Sequence, residues 1–395
     1  MSSNDSLTEK LLAKPVAPAV AGRKSNPDTD FTKQIELAGD SLTATLRGKP
    51  GDINEGTALR FIQREGLNPD EWEATGFKRS EWDAASGDRL ESSRFTFKRV
   101  EAGSKSELLP EEVAAIKRYR GKAHRAQGDH AYVVAFGDMQ FGKIDGDGVE
   151  GTITRALASI DLAADLLATH RKRFDIGHVH VAWLGDHIEG FVSQGGANIW
   201  RTRLTLNEQI RLSRRMMLHA LTTFADQADL VTMAAVPGNH GEPQRFAGKG
   251  MTRYDDSHDT ESLIAVADGA ALHGNAFDHV KFYVPQTDEM TVVLDVAGTI
   301  VGHVHGHQFR PGKHFEWWKG QAFGRSVDLQ SADLLLAGHL HHELMDSDGP
   351  RIFLQAPALE SESTWWRHAT GIPGSPGLLT AVTSNGQTRA IEVLR

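Results

Sequence analysis

From Ala131 onward, the chain alternates short apolar runs with longer segments whose apolar residues recur at helical spacing. Three apolar runs predict buried strands, at 132–138, 179–186 and 229–240. Helices are predicted over 149–173, about 203–225 and about 256–271. Further strands are predicted near 291–296, 299–305, 333–338, 351–356, 378–383 and 389–394. This alternation predicts an α/β fold in which layers of helices cover a central sheet.

The remainder of the chain divides by composition. Residues 1–27 are rich in Ser, Ala, Pro and Lys without periodicity, which predicts a disordered tail. Residues 28–105 are expected to form a small α+β module, and residues 106–130 a basic helical linker. The α/β domain is then predicted over 131–395.

Within the small module, 58–67 has helical spacing and 93–100 alternates like a strand. Trp72 and Trp82 are expected to anchor its core. The sequence leaves two interpretations open, a winged or helix-turn-helix-like DNA-binding module and a packing or oligomerisation module.

Composition excludes several classes of site. The 395 residues include no Cys, which excludes disulfides, thiolate zinc sites and thiol nucleophiles. No run approaches 18 apolar residues, and the N-terminus does not resemble a secretion signal, so we expect no membrane span and a cytoplasmic location. Residues 1–130 are balanced in charge, and the net charge of −9 lies in 131–395. That acidity argues against non-specific coating of nucleic acid.

Five short polar segments each follow an apolar run: GDMQ (137–140), GDHIE (185–189), GNH (238–240), GHVHGH (302–307) and GHLHH (338–342). All are built from Asp, Asn, Gln and His, whose oxygen and nitrogen atoms bind divalent metals. Together they can supply about eight ligands, enough for two ions. In open α/β sheets, ligands bind beyond the carboxyl ends of strands, where all five segments are predicted to lie.

In order and chemistry, these segments resemble the calcineurin-like metallophosphoesterase superfamily, over roughly 130–395. The segments WWKG (317–320) and HGHQF (305–309) resemble those of phage-encoded members. The resemblance implies a layered sandwich of two β-sheets flanked by helices. It implies that one ion is held by Asp138, Gln140, Asp186 and His341, and the other by Asp186, Asn239, His305 and His339. It also implies that His240 faces the scissile phosphate, where it can donate to an oxygen or protonate the leaving group.

The sequence departs from the family, or stays ambiguous, at several positions. Gln140 stands where the superfamily usually has His, and its harder donor favours Mn²⁺, with Zn²⁺, Fe²⁺, Ni²⁺ and Mg²⁺ as alternatives. His303 is the alternative to His305, because strand alternation puts both on one face. Glu189 either orients His187 or another ligand, or is solvated. His342 is expected to be outer-shell or exposed.

Two aromatic basic patches, 313–325 and 363–371, could bind a substrate. Their members are Lys313, Trp317, Trp318, Arg325, Trp365, Trp366 and Arg367. The tryptophans could stack on nucleobases with the cations near phosphates, or they could belong to the core or a subunit contact.

The sequence therefore predicts a binuclear phosphoesterase that hydrolyses phosphodiester bonds by metal-activated hydroxide. Nucleic acid, DNA or RNA, is the first candidate substrate. The alternatives are a phosphodiesterase, pyrophosphatase or phosphatase for small nucleotides, and a non-catalytic binding module.

Overall fold

The computed structural model describes residues 32–38, 41–48, 53–67, 72–83, 89–99 and 128–395, the last range without 244, 247, 248, 251, 325–327, 365, 366, 369, 370 and 372. The chain divides into two compact units, of which one contains the described residues 32–99 and the other the described residues from 128 onward. The predicted tail and nearly all of the predicted linker lie outside the described residues.

The smaller unit is an antiparallel sheet with one helix among its described residues. Its elements are β1 (Thr32–Ala38), β2 (Ser41–Gly48), α1 (Glu55–Arg64), β3 (Trp72–Asp83) and β4 (Arg89–Arg99). The strand order is β1-β2-β4-β3. The predicted helix and the predicted strand at 93–100 are confirmed as α1 and β4, and the other three strands were missed. A role in DNA binding or oligomerisation stays a prediction.

Helix α1 begins three residues before its apolar pattern because Asn54 caps it. The side chain of Asn54 accepts a hydrogen bond from the backbone N–H of Thr57, which satisfies one of the free donors of the first turn. Trp72 is buried in the core that α1 and the sheet share, as expected.

The larger unit alternates strands and helices as predicted. Its first half contains β5 (His130–Phe136), α2 (Gly148–His170), β6 (Ile176–Trp183), α3 (Leu206–Ala225), β7 (Leu230–Ala235), β8 (Arg245–Phe246), β9 (Lys249–Gly250), α4 (His258–Ala271) and β10 (Val280–Tyr283). Its second half contains β11 (Val292–Val296), β12 (Thr299–His303), α5 (His314–Gly324), β13 (Leu334–Ala337), β14 (Leu344–Asp348), β15 (Arg351–Gln355), β16 (Leu378–Ser384) and β17 (Gln387–Leu394). Short 3₁₀ helices lie at Ser193–Arg201, Gly274–Phe277 and Asp328–Ser331. No described helix is both long and apolar enough to cross a membrane.

These elements build two sheets. The first has the order β10-β7-β6-β5-β16-β17, and its strands β10, β7, β6 and β5 are parallel. The second has the order β11-β12-β13-β15-β14, with β12, β13 and β15 parallel. The carboxyl ends of the parallel strands within each sheet therefore lie along a common edge, which is the condition for the predicted site.

Strand β5 shows how the layers pack. Its residues Tyr132, Val134 and Phe136 belong to the core shared with helices α2, α3 and α4. Its alternate residues, 131, 133 and 135, belong to the core between the two sheets. A third cluster lies under α5, against the other face of β13 and β15. The fold is thus the expected α/β sandwich of two sheets flanked by helices.

Candidate metal centre

The five polar segments begin within a few residues of five strand ends. Asp138 follows β5, Asp186 follows β6 and Asn239 follows β7, while His305 and His339 follow β12 and β13. The ligand atoms of Asp186, His305 and His339 lie within 4.8 Å of one another. Residues from both sheets therefore meet at one site.

His305 presents a defined ring nitrogen to Asp186. Its Nδ1 lies 2.7 Å from the carbonyl oxygen of Leu184, to which it donates, and its Nε2 lies 3.0 Å from Oδ2 of Asp186. Burial would lower the pKa of His305, but the carboxylates of Asp186 and Asp138 outweigh it and raise that pKa to about 9. The two carboxylates therefore favour a positive charge next to Nε2 of His305.

Asp138 connects this group to the last motif. Its Oδ1 lies 3.1 Å from Nε2 of His341, and its Oδ2 accepts a hydrogen bond from the backbone N–H of His339 at 2.8 Å. The Nδ1 of His341 lies 2.8 Å from Oε1 of Glu360. A carboxylate on the outer nitrogen of a histidine is the usual support of a metal-binding imidazole. Sequence reasoning missed Glu360.

Three buried ligand atoms of the site are incompletely satisfied among the described residues. Oδ1 of Asn239 has no hydrogen-bond partner, and Oδ1 of Asp138 and Nε2 of His305 make only ion-pair contacts, with His341 and Asp186. Buried polar atoms without partners are costly, and those of a native protein call for an explanation. A divalent cation explains them, because carboxylate, amide and imidazole atoms are its natural ligands. The residues present therefore fit a metal ion.

Gln140 has an unexpected partner. Its Oε1 accepts a hydrogen bond from Nζ of Lys143 at 2.8 Å, and Lys143 also lies 3.2 Å from Oε1 of Glu360. Gln140 itself has a positive φ of 41°, which turns the chain sharply after Asp138. The amide oxygen expected to bind an ion is thus bonded to an ammonium group. Ligation by Gln140 stays a prediction.

His240 lies beside the carboxylates and contacts four residues, one of which is Gln140, whose Nε2 lies 3.4 Å from Nε2 of His240. Its backbone N–H donates to Oδ1 of Asp186 at 2.7 Å, and its Nδ1 lies 2.9 Å from the carbonyl oxygen of Glu189. Its Nε2 lies 3.1 Å from Oγ of Ser193. Burial would lower the pKa of His240, but Asp186 and Glu189 raise it to about 9, so the ring is cationic at neutral pH. A cation here can act on a phosphoryl oxygen.

The comparisons with known proteins are remote. No protein-family model and no curated protein matches the sequence. Among solved structures, Vacuolar Protein Sorting 29 from Cryptosporidium parvum is 14% identical with a TM-score of 0.30, over 67% of this chain and 98% of that one. A predicted phosphoesterase from Streptococcus pneumoniae is 12% identical with a TM-score of 0.27, over 65% and 84%. A purple acid phosphatase from yellow lupin (Lupinus luteus) seeds is 12% identical with a TM-score of 0.33, over 89% and 69%. These similarities are too remote to indicate a function for this chain.

His303 lies outside the group formed by Asp186, His305 and His339. Its Nδ1 donates to the carbonyl oxygen of Val292 at 2.9 Å, so its Nε2 must accept from Nε2 of His180, 2.7 Å away. Nδ1 of His180 and Nε2 of His178 each lie 2.7 Å from Oγ1 of Thr232. These four side chains, 178, 180, 232 and 303, form a buried chain that we call the histidine chain. Strand β12 ends at His303, so the alternation that paired it with His305 stops there.

The structure distinguishes between the alternatives that the sequence left open for Glu189 and His342. Glu189 is buried, and its Oε2 lies 3.5 Å from Nδ1 of His240. The solvated alternative for Glu189 is therefore wrong, and its partner is His240 rather than His187. Neither ring nitrogen of the buried His187 has a hydrogen-bond partner among the described residues. His342 is exposed, as one alternative expected.

Among the described members of the two aromatic patches, Trp318 is buried and Trp317 is half-buried. Trp318 is 1% exposed, and its Nε1 donates to the carbonyl oxygen of Leu329 at 2.8 Å. The prediction that Trp318 stacks on a base is therefore wrong, because the packing of α5 against β13 and β15 buries its ring. Trp317 is half-buried with its ring centroid 5.4 Å from that of Phe309. Arg367 is exposed and bonded to Glu362 at 2.7 Å. The other predicted members, Trp365, Trp366 and Arg325, lie outside the described residues, and Lys313 is exposed beside Glu316.

Four residues at the site were missed by sequence reasoning: Lys143, Ser193, Asp259 and Glu360. None belongs to the donor cluster of its own strand end. Lys143 contacts Gln140 three residues before it, and the other three reach the site by contacts across the fold. The only local signal is at Asp259, where the segment SHD resembles an ordinary helix start.

Proposed function

We propose that this protein is a metal-dependent phosphoesterase that cleaves phosphodiester bonds. The observation that carries the proposal is the convergence of Asp186, His305 and His339 beside a buried, cationic His240. The first three can hold a cation, and His240 can neutralise or protonate an oxygen of a phosphoryl group.

We further propose a binuclear centre, with Asp186 shared between two ions. Asp138, Gln140 and His341 would complete one position, and Asn239, His305 and His339 the other. A pair of divalent ions, when bound, supplies Lewis-acid charge and acidifies a nearby water. The chain's own part is to fix the carboxylates and to keep the proton on His240.

His240 is placed for the leaving-group side of the reaction. Hydrolysis adds the hydroxyl of water to phosphorus and breaks the bond to the leaving oxygen, which must then gain a proton. In the metal-free protein, Asp186 and Glu189 favour the cationic form of His240, in which Nε2 carries a proton. The bond from Nδ1 to the carbonyl oxygen of Glu189 orients the ring, and Oγ of Ser193 lies 3.1 Å from Nε2.

Nucleic acid remains the first substrate to test, with manganese as the first metal. Burial of Trp318 removes one of the four rings that supported base stacking, so small nucleotide diesters are tested alongside DNA and RNA. A phage origin remains part of this proposal and adds nothing to the chemistry.

A non-catalytic metal-binding module is the second candidate function. The observation that favours it is the ammonium of Lys143, which takes the oxygen of Gln140 and adds positive charge beside one proposed ion position. For Gln140 to bind a metal ion in an enzyme, its oxygen would have to release the ammonium group of Lys143.

Hydrolysis assays separate the two candidates. The chelator-treated protein is assayed with bis-p-nitrophenyl phosphate and p-nitrophenyl phosphate, with and without Mn²⁺, alongside His240→Ala and Asp186→Ala. We expect Mn²⁺-dependent diester cleavage, about 100-fold slower in His240→Ala and abolished in Asp186→Ala. His342→Ala, at an exposed histidine in the last motif, should keep wild-type activity. Metal binding without hydrolysis of either ester would favour the binding module.

A further inference from the structure

Asp259 lies in the first turn of α4 with its side chain fully buried behind the metal centre. Its Oδ2 accepts hydrogen bonds from the backbone N–H groups of Asp186 at 3.1 Å and Gly238 at 3.0 Å. Its Oδ1 accepts from the backbone N–H of His187 at 3.0 Å. One carboxylate thus binds three amides from two separate loops.

Those two loops carry the central residues of the site. The first contains Asp186, and the second runs from Gly238 through Asn239 to His240. Asp186 has a positive φ of 52°, a conformation that costs energy for a residue with a side chain and persists only when its surroundings hold it. The amides of Asp186 and His187 flank that strained Cα, and Asp259 binds both.

The start of α4 is itself fixed against the second loop. The N-cap residue Ser257 accepts a hydrogen bond from the backbone N–H of Asp259 through its Oγ, at 3.2 Å. The backbone N–H of His258 donates to the carbonyl oxygen of Gly241 at 2.8 Å. A Cβ at Gly241 would overlap the carboxylate of Asp259, so the close approach of loop and helix requires glycine there.

We propose that Asp259 is a positioning residue that holds Asp186 and the Gly238–His240 turn in the arrangement that binds metal. This inference rests on the proposed function for the meaning of that arrangement. The geometry requires a carboxylate, because three N–H donors need acceptors on both oxygen atoms. An Asn at this position has one oxygen, so its NH₂ group would face at least one of the three N–H donors.

Hydrogen–deuterium exchange of the chelator-treated protein tests this role without metal or substrate. In Asp259→Asn, we expect exchange at least tenfold faster in peptides covering 184–190 and 236–242, while α2 and α3 exchange at wild-type rates. Asp268→Asn is the matched control, because Asp268 is exposed on the same helix. Unchanged exchange in both loops, or equal acceleration throughout the domain, would overturn the proposal.

Mn²⁺ titration by calorimetry connects the role to the metal centre. Loss of a residue that supports metal ligands typically weakens metal affinity by 10- to 100-fold, and we expect a change of that size in Asp259→Asn and none in Asp268→Asn. Equal affinity in Asp259→Asn and wild type would contradict the positioning role. A wild-type protein that binds no Mn²⁺ would instead overturn the proposed metal centre, and the exchange result would still decide whether Asp259 holds the loops.

A second variant guards against loss of folding. If circular dichroism shows that Asp259→Asn is unfolded, Ser257→Ala removes only the hydroxyl that receives the N–H of Asp259. We expect the same two loops to exchange faster in Ser257→Ala, by a smaller factor. Loops that exchange at wild-type rates there would count against the proposal.

Discussion

Nδ1 of His341 lies 2.8 Å from Oε1 of Glu360, and this contact leaves Nε2 of His341 facing Asp138 at 3.1 Å. Glu360 thereby decides which nitrogen of the ring enters the site. Its charge is shared with Lys143, so the proposed first-ion position includes a support that no motif revealed.

Glu360→Gln should weaken metal binding. The amide oxygen can still accept from Nδ1 of His341, but it lacks the charge that favours a fixed imidazole and balances Lys143. We expect Mn²⁺ affinity to fall by about 10-fold or more, measured by calorimetry. Glu362→Gln, on the same loop and bonded to Arg367, is the control and should bind as wild type. Equal affinity in all three proteins would contradict the role of Glu360.

Gly238→Ala should disrupt the site by contact alone. A Cβ at Gly238 would overlap both the carboxylate and the backbone nitrogen of Asp186, and backbone there cannot move aside cheaply. We expect loss of Mn²⁺ binding and a lower melting temperature. Gly269→Ala is the control: it lies in α4, has nothing within 4 Å of a new Cβ, and should be as stable or more stable by roughly 0.5–1 kcal/mol. Normal metal binding by Gly238→Ala would mean that the two loops are looser than the structure shows.

The histidine chain should make the fold sensitive to acid. Burial lowers the pKa of His178 and of His303 to about 4, against an ordinary value of 6.5 in the unfolded chain. The unfolded state therefore binds protons first, so stability from this chain is complete above pH 6.5 and is lost as the pH falls toward about 4. A shift from 6.5 to about 4 corresponds to at most about 3–4 kcal/mol for each histidine.

Urea unfolding at pH 7 and pH 5 measures this effect. His178→Gln removes one titrating ring while its amide can still donate to Thr232, so the free energy of unfolding should fall less between the two pH values than in wild type. The comparison within each protein cancels the cost of the substitution itself. An identical fall in the free energy of unfolding in both proteins would show that His178 takes up no proton when the protein unfolds.

The sequence was sufficient to predict the five strands that precede the polar segments. Asp138, Asp186 and Asn239 follow apolar runs that became β5, β6 and β7, and that placement alone brings them to one edge of a sheet. Their donor chemistry then predicted a metal centre before any distance was known. Local pattern and ligand chemistry are both properties of short segments, so the sequence exposes them.

Contacts across the fold were not predictable in this way. Glu360 and Asp259 reach the site from a loop and a helix start whose sequences look ordinary. Strand alternation predicts one face for His303 and His305. Because β12 ends at His303, His303 lies in the core, whereas His305 lies beyond the strand and is the ligand candidate. The sequence cannot distinguish a tryptophan that stacks on a base from one in the core. Only the packing of α5 against β13 and β15 shows that Trp318 is buried.

The most direct test of the metal centre compares two histidines that are two residues apart. Mn²⁺ binding is measured by calorimetry on chelator-treated wild type, His305→Ala and His303→Ala, each shown to be folded by circular dichroism. We predict that wild type and His303→Ala bind Mn²⁺ alike, that His303→Ala melts at a lower temperature, and that His305→Ala binds about 100-fold more weakly or not at all. Equal binding by wild type and His305→Ala, or none by wild type, would contradict the account.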